Sequence, residues 1–517
     1  MYFCNTEFGF RRRSFCRLSY IYFISKMKTI RILLAAVLPL CFVQAQGRGD
    51  SLRYEVELSV NASSGKYAPL WFTANRYGLS TERPKGGHLR AGVQYDTRFG
   101  KDWSLQAGLD VAGAVDYDAP FIVQQAYADL SWKALTLSLG AKERPAFPLE
   151  KDLRLSSGMM VEGSNARPVP QVRIELPRYW DVPFTRGWLG VKGHIDYGLL
   201  TDNGWREGFT AIGQKFAKNV IYHSKSLMFR VGNKDKFPLT MEIGMLDAAQ
   251  FGGSLWQKQA DGSLTMITNM PNGFKEFFKA LVPTQESTLE NVDGNHVGSW
   301  NFALNYYAKT WKARLYYEHF FDDHSQLTWQ YGRWKDGHIG LEVTLPRNPV
   351  VSKVLWEGFC TTDQTGPLLY DGVAGSFPEL QMSGGDNYYN HATYPWMHWG
   401  QNIGHPFIYG SVYGDDGRLI FHSNRVKAHH VGIGGDPTDE LAYRVLLSFT
   451  RHWGSYVEPL DETRHQNSML FEVTYTPKRF KGWQIEAACG IDDGDYLGSS
   501  VGGMITIRKN GLLWTRR

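Results

Sequence analysis

The chain has 517 residues, of which 43% are hydrophobic, 21% charged and 14% aromatic, and its formal charge is +5. The basic excess argues for no nucleic-acid partner: residues 1–45 hold seven Lys and Arg residues against one acid, so the remainder carries 49 bases and 50 acids. No apolar run beyond residue 42 approaches the length of a membrane-spanning helix, which excludes a helical bundle in lipid but not a barrel of alternating strands.

In chain order, residues 27–31 form a basic stretch and residues 32–42 an apolar one too short to span a bilayer. Val43, Gln44 and Ala45 then make a small-residue cleavage site, so residues 27–45 read as a secretory signal peptide. Residues 1–26 stand upstream of a complete signal and read as an overextended gene start. Residues 46–517 read as a single outer-membrane barrel domain. Three cysteines (Cys4, Cys16, Cys41) leave with the leader. Cys360 and Cys489 remain, either as one disulfide or as free thiols, with Cys489 on the apolar face of its strand.

The first strand places Leu52, Tyr54, Val56, Leu58 and Val60 opposite Arg53, Glu55 and Glu57. A hairpin follows. Leu89, Ala91, Val93, Tyr95 and Phe99 share one face, Gly100-Lys101-Asp102 turns the chain, and Trp103, Leu105, Ala107, Leu109 and Val111 resume in phase. Period 2 over roughly ten residues per arm, apolar outside and charged inside, is long enough to cross a bilayer when tilted. The pattern recurs around Lys133-Ala134, over residues 189–199, 339–345, 471–475 and 483–491, and last at Val501, Gly503, Ile505 and Ile507. Strands span lipid only as a closed barrel, and closure favours an even number. The fold expected is therefore all-β, a transmembrane antiparallel β-barrel of about 18 strands with long loops and a short amphipathic helix. That helix, of about three turns, is residues 272–281, with Phe274, Phe277, Phe278 and Leu281 on the face that would pack on the barrel.

Irregular stretches at 149–186, 201–219, 248–297 and 362–418 are where function is expected. The rings Trp300, Tyr306, Tyr307, Trp311, Tyr316, Tyr317, Phe320 and Phe321 read as an interfacial girdle. One loop mixes rings with amides and carboxylates in a glycine-rich frame: Asp386, Asn387, Tyr388, Tyr389, Asn390, His391, Tyr394, Trp396 and Trp399. Sugars offer C–H faces to rings and hydroxyls to paired donors and acceptors, so these residues are candidate carbohydrate contacts. Asn165 and Arg167, in a Pro-flanked extended run, join them; Arg167 would hold an acidic sugar or a wall carboxylate. The same loop residues could instead fold locally into the barrel mouth. No cofactor, metal ligand set or catalytic residue is expected. His429 and His430 point to opposite faces, Asp492-Asp493-Gly494-Asp495 lacks the glutamate of a calcium loop, and there is no Gly-x-Ser-x-Gly elbow.

Five runs in order resemble the capsule assembly Wzi family: Pro69-Leu70-Trp71-Phe72 with Asn75-Arg76-Tyr77-Gly78; Asn165 to Gln171; Gln250-Phe251-Gly252-Gly253; Gly294-Asn295-His296; and Asp386 to His391. The resemblance implies a barrel of about 18 strands in the bacterial outer membrane. It would attach or assemble capsular or extracellular polysaccharide at the cell surface as a lectin, not an enzyme, with polysaccharide and outer-membrane lipid as partners. The chain departs from the family in leaving no room for an N-terminal helical bundle before its first strand. The alternatives are a passive outer-membrane pore and a barrel-wall lipid or glycan hydrolase. Inward charges such as Arg90, Asp96, Lys142 and Lys192 would then line water, or else interlock.

Overall fold

A computed structural model describes residues 49–145, 147–281, 294–322, 327, 335–367 and 381–516. The expected leader (1–26 and 27–45) lies outside the described residues.

Eighteen antiparallel strands close into one barrel. They are β1 (Asp50–Ser63), β2 (Lys85–Phe99), β3 (Trp103–Val115), β4 (Phe121–Trp132), β5 (Leu135–Ala141), β6 (Gln171–Asp181), β7 (Leu189–Leu199), β8 (Ile221–Val231) and β9 (Leu239–Phe251). The second half is β10 (Asn295–Tyr307), β11 (Lys312–Asp322), β12 (Gly337–Thr344), β13 (Lys353–Cys360), β14 (Val426–Gly435), β15 (Leu441–Gly454), β16 (Pro459–Tyr475), β17 (Trp483–Gly494) and β18 (Ser500–Arg516). Each strand pairs with its chain neighbour, and β18 closes on β1 from Asp50↔Arg516 to Ser63↔Gly502. Closure removes the edge strands that lipid would leave unpaired.

The hairpins form where the sequence places turn residues. Phe99 faces Trp103 across Gly100, whose φ is +65°. Trp132 faces Leu135 across Lys133, which takes a positive φ of 53°. Apolar strand residues point outward to the bilayer, as Leu89 (55% exposed) and Ile505 (50%) show. Rings near the short-turn rim are exposed where a girdle belongs: Trp103, Trp132, Tyr306, Trp311 and Trp483. Tyr316, Phe320 and Phe321 correct the girdle expectation, since all three are buried. Phe320 packs on Tyr388 and Tyr389 of the lumen filling. Alternation told which rings share a face, not that the inner face there is dry.

One rim, where β1 begins and β18 ends, carries only connections of up to eight residues; short turns at 116–120, 455–458 and 495–499 lie at the other rim. That other rim also carries the long connections. The described parts of three of these, residues 64–84, 142–145 with 147–170, and 361–367 with 381–425, fold back as a plug. Their side chains form one buried apolar cluster with the inner wall: Leu70, Trp71, Phe72, Met160, Tyr389, Trp396 and Phe407 from the plug meet Tyr316, Leu355, Phe359, Ala428 and Leu446 from the strands. The wall charges interlock, some of them, such as Arg90, Asp110 and Glu143, around a cavity of about 730 Å³. Arg90 bonds Asp110 and Glu143 (2.9 Å to the latter), Lys142 bonds Asp129, and Lys192 reaches Glu150 at 3.1 Å. Asp96 accepts from Gln94 and Gln106.

Helices are few and short: α1 (Leu70–Thr73), α2 (Asn203–Phe209) and α3 (Phe274–Lys279). The expected three-turn helix is thus only six residues long. Its face is split, with Phe277 packing on Tyr197 and Phe251 while Phe274 and Phe278 stay exposed. Cys360 and Cys489 are free thiols, Cys489 exposed on the outer face of β17. Maleimide should therefore label both Cys360 and Cys489 after mild denaturation without reductant; no label at either until a reductant is added would show that they are paired.

Candidate functional site

The candidate sugar-binding loop lies mostly inside the plug. Tyr388, Tyr389, Tyr394 and Trp396 are all 0% exposed. This corrects the expectation that they meet a polymer, because a fully covered ring offers no face for stacking. Trp396 Nε1 donates to Val161 O at 2.9 Å, and Asn295 Nδ2 donates to Tyr394 O at 3.0 Å. The amides serve backbone groups. Asn390 bonds both the N–H and the C=O of Phe421 (2.7 and 2.8 Å), and Asn387 Oδ1 accepts from Asn424 at 2.7 Å. His391 Nδ1 accepts from the N–H groups of Thr393 and Tyr394, and burial pushes its pKa down to about 4. Asp386 is half-buried, its N–H bonded to Gln364 O. Asn165 is also interior, donating to Asn402 O at 3.2 Å. Asn and His in this loop chiefly stabilise turns.

Two of the expected residues do come together at the long-loop rim. The Arg167 guanidinium lies 4.1 Å from the centroid of the Trp399 ring, and both side chains are half-exposed. Among the described residues no wall carboxylate is ion-paired with Arg167; burial lowers its pKa to about 10, which leaves it charged at neutral pH. Trp399 adopts a left-handed backbone with φ of 54°, unusual for a bulky residue. Its N–H is held by Asp202 Oδ2 at 3.0 Å. Asp202 in turn pairs with Arg206 at 2.9 Å, and Arg206 donates to Met397 O at 2.9 Å. His398 Nδ1 bonds Arg167 O (2.9 Å), while its Nε2 accepts from Thr201 N–H (3.1 Å); burial keeps the ring below its ordinary pKa and hence neutral. The stack is therefore fixed from both sides.

Sequence reasoning missed α2. Trp205 and Phe209, four apart, stack at 4.8 Å between centroids. Trp205 abuts Gly400, where an added Cβ would lie 2.5 Å from the indole. The signal was present as an aspartate before a Trp/Phe pair at helical spacing, in a stretch read only as irregular. Trp399 stacked on Arg167, with the part-buried Trp205–Phe209 pair against the adjoining Gly400, offers planar groups beside one cation, a surface suited to sugar rings and their acidic substituents.

Deeper in the lumen Ser157, His338, Glu357 and Glu318 cluster, all at 0–1% exposure. Ser157 Oγ bonds the Glu357 carboxylate and lies 3.3 Å from His338 Nε2. The serine is committed to an acid, and the group locks plug to wall. Among the described residues one trio, Glu162, His194 and Asp196, brings possible ligand atoms within 4.8 Å. Arg173 bonds Asp196 at 3.0 Å, and Ser224 lies 2.8 Å from His194 Nε2.

No family model matches the chain, and no curated protein does. Solved structures do. Wzi of Escherichia coli, described as a carbohydrate-binding β-barrel involved in group 1 capsule assembly, superposes with a TM-score of 0.53 at 10% identity, over 92% of this chain and 87% of that one. OccD1 (OprD) superposes at 0.45 with 8% identity over 91% and 98%, and OccAB4 of Acinetobacter baumannii at 0.45 with 10% over 91% and 100%. At such identities the likeness is one of fold, and by that fold the chain is an 18-stranded barrel of the outer membrane.

Proposed function

We propose that this barrel is a Wzi-like surface lectin that holds capsular or extracellular polysaccharide at the long-loop rim. The observation that carries the reading is the Trp399–Arg167 stack, pinned in a strained backbone by Asp202 above a filled lumen. Strain at an exposed ring is maintained by its surroundings only at a structural cost, as at binding sites generally. The resemblance of five sequence runs to the Wzi family and the carbohydrate-binding description of the E. coli protein agree with this reading. The packed plug favours it over a passive pore.

The test is polymer binding by purified protein together with polymer retention on cells. Trp399→Ala removes one ring from the patch, worth about 1 kcal/mol or about fivefold in affinity. Trp399→Ala combined with Trp205→Ala should abolish measurable retention while heat-modifiable barrel reaches the membrane in normal amount. Unchanged retention in the double variant would overturn the proposal.

A further inference from the structure

Among the described residues Arg76 makes no short ion pair: the carboxylates that act on it, Glu472 and Glu486, are held by Arg444 and Arg508. Arg76 follows α1 on the plug, and its Nε and Nη2 are shut away from water without a hydrogen-bond partner. The side chain borders two cavities. The smaller, about 60 Å³, is lined also by Trp71, Leu153, Arg444 and Leu446, and Trp71 Nε1 is a second buried donor with no acceptor. Arg444 is already bidentate to Glu472, with both bonds at 2.7 Å. The larger cavity, about 730 Å³, extends from Asn75, Arg76 and Tyr77 along the inner wall to Arg53 and Leu512 near the short-turn rim. Its volume is that of a small-ligand site.

Other cations facing this chamber are matched. Arg90 is bonded to Asp110 and Glu143, Arg508 to Glu57 and Glu486, and His88 to Glu57 at 2.8 Å. Arg53 stands exposed at the rim. Arg76 alone is both enclosed and without a short ion pair among the described arginines of the chamber. Burial pushes its pKa down, against the longer-range pull of Glu472 and Glu486, the direction expected when a guanidinium loses water and gains no hydrogen-bonded carboxylate. Its position is imposed. Asn75 and Tyr77 flank it with φ of 56° and 52°. Asn75 Nδ2 donates to Ser157 O at 3.1 Å and Tyr77 Oη to Arg144 O at 2.6 Å. The chain is thus clamped on both sides of a charge that has no short ion pair.

We infer that Arg76 anchors an oxyanion site entered from the short-turn end of the barrel, taking the carboxylate or phosphate of a small ligand, with the Trp71 indole N–H beside it. Short turns face the periplasm in barrels of this class, so the ligand arrives from that side, away from the polymer patch. A guanidinium matches such groups bidentately, which a lysine does not.

The experiment uses the full barrel in detergent, with thermal unfolding read by tryptophan fluorescence. Sodium phosphate and sodium glucuronate are titrated separately, with glucose and sodium chloride at matched ionic strength as controls. A ligand that binds only the folded state raises the midpoint with the logarithm of its concentration. A rise with phosphate, glucuronate or both is expected, with none in the controls, and Arg76→Gln removes it. Whichever anion acts identifies the source of the charged group. An equal rise in sodium chloride, or the same rise in Arg76→Gln, overturns the inference. Should Arg76→Gln fail to assemble, equilibrium dialysis of labelled phosphate and glucuronate against the native barrel decides: no retained label with either overturns the site. Trp399→Ala should leave the anion response intact, so failure here and failure of the lectin reading are separable.

Discussion

Trp396→Ala is expected to loosen the plug at a cost of about 3–5 kcal/mol, the range for truncating a buried aromatic ring. Trp396 is fully covered, lies 5.7 Å from the Tyr222 ring and donates from Nε1 to Val161 O at 2.9 Å. Its own backbone joins two plug segments, since its N–H bonds Tyr389 O and its C=O accepts from Ile403. The substitution therefore leaves a cavity and strands the Val161 carbonyl at once. The strand ladder does not depend on Trp396, so barrel assembly and heat-modifiability should persist. What changes is local: external protease should cut the segment between Gly384 and Pro406, which in the native protein is packed away. Trp399→Ala is the matched control, because its half-exposed ring contributes little to that packing. A Trp396→Ala barrel as protease-resistant as the native one would remove this residue from the plug core. If the rim holds polymer as proposed, replacing either of the two tryptophans, three positions apart, should lower retention for different reasons, one by weakening a contact and the other by releasing its support.

That difference marks what the sequence could express. Strand direction and hairpin register were legible, because a twofold rhythm plus a turn residue is a local property. Phe99, Gly100 and Trp103 suffice to place the turn between β2 and β3. The barrel and its strand number followed, since lipid permits only closed sheets. The inner boundary was not legible. Tyr316 and Phe320 read as girdle because nothing local separates a ring facing lipid from one facing a dry plug; Phe321, on the other face by alternation, is buried outside that cluster. The loop from Asp386 to Trp399 failed for the same reason: rings that suit a sugar also suit a core. Of its tyrosines and tryptophans only Trp399 is part-exposed, and its partner Arg167 comes from a segment more than two hundred positions away. Trp205 and Asp202, which position Trp399, belong to a third segment.

Removing Glu357 is expected to unlatch the plug and turn a closed barrel into a fluctuating pore. Glu357 projects inward from β13 at 1% exposure. It accepts from Ser156 Oγ and Ser157 N–H, both at 2.7 Å, and from the hydroxyls of Ser157 and Tyr316, with His338 Nε2 at 3.5 Å. Beside it Glu318 pairs with Lys151 of the plug, and Lys151 also donates to Gly158 O at 2.8 Å. One wall carboxylate therefore gathers the donors of residues 156–157 while its neighbour neutralises Lys151. Glu357→Ala leaves those donors without an acceptor in a dry site, and breaking one side of such a buried network costs about 3–5 kcal/mol. That is comparable to the loss from a core ring, but it falls at the junction of plug and wall. In planar bilayers the native barrel should pass little current, and Glu357→Ala should show brief, irregular openings as residues 151–160 detach. Glu357→Gln should behave similarly, because an amide presents a donor to some of the same donors. Ser157→Ala gives the useful contrast. It deletes one donor and leaves the carboxylate served by the rest, so its currents should stay near native; if Ser157 were instead a nucleophile, that variant would lose turnover without any change in conductance. Native-like closure in Glu357→Ala would mean that the apolar cluster alone holds the lumen shut.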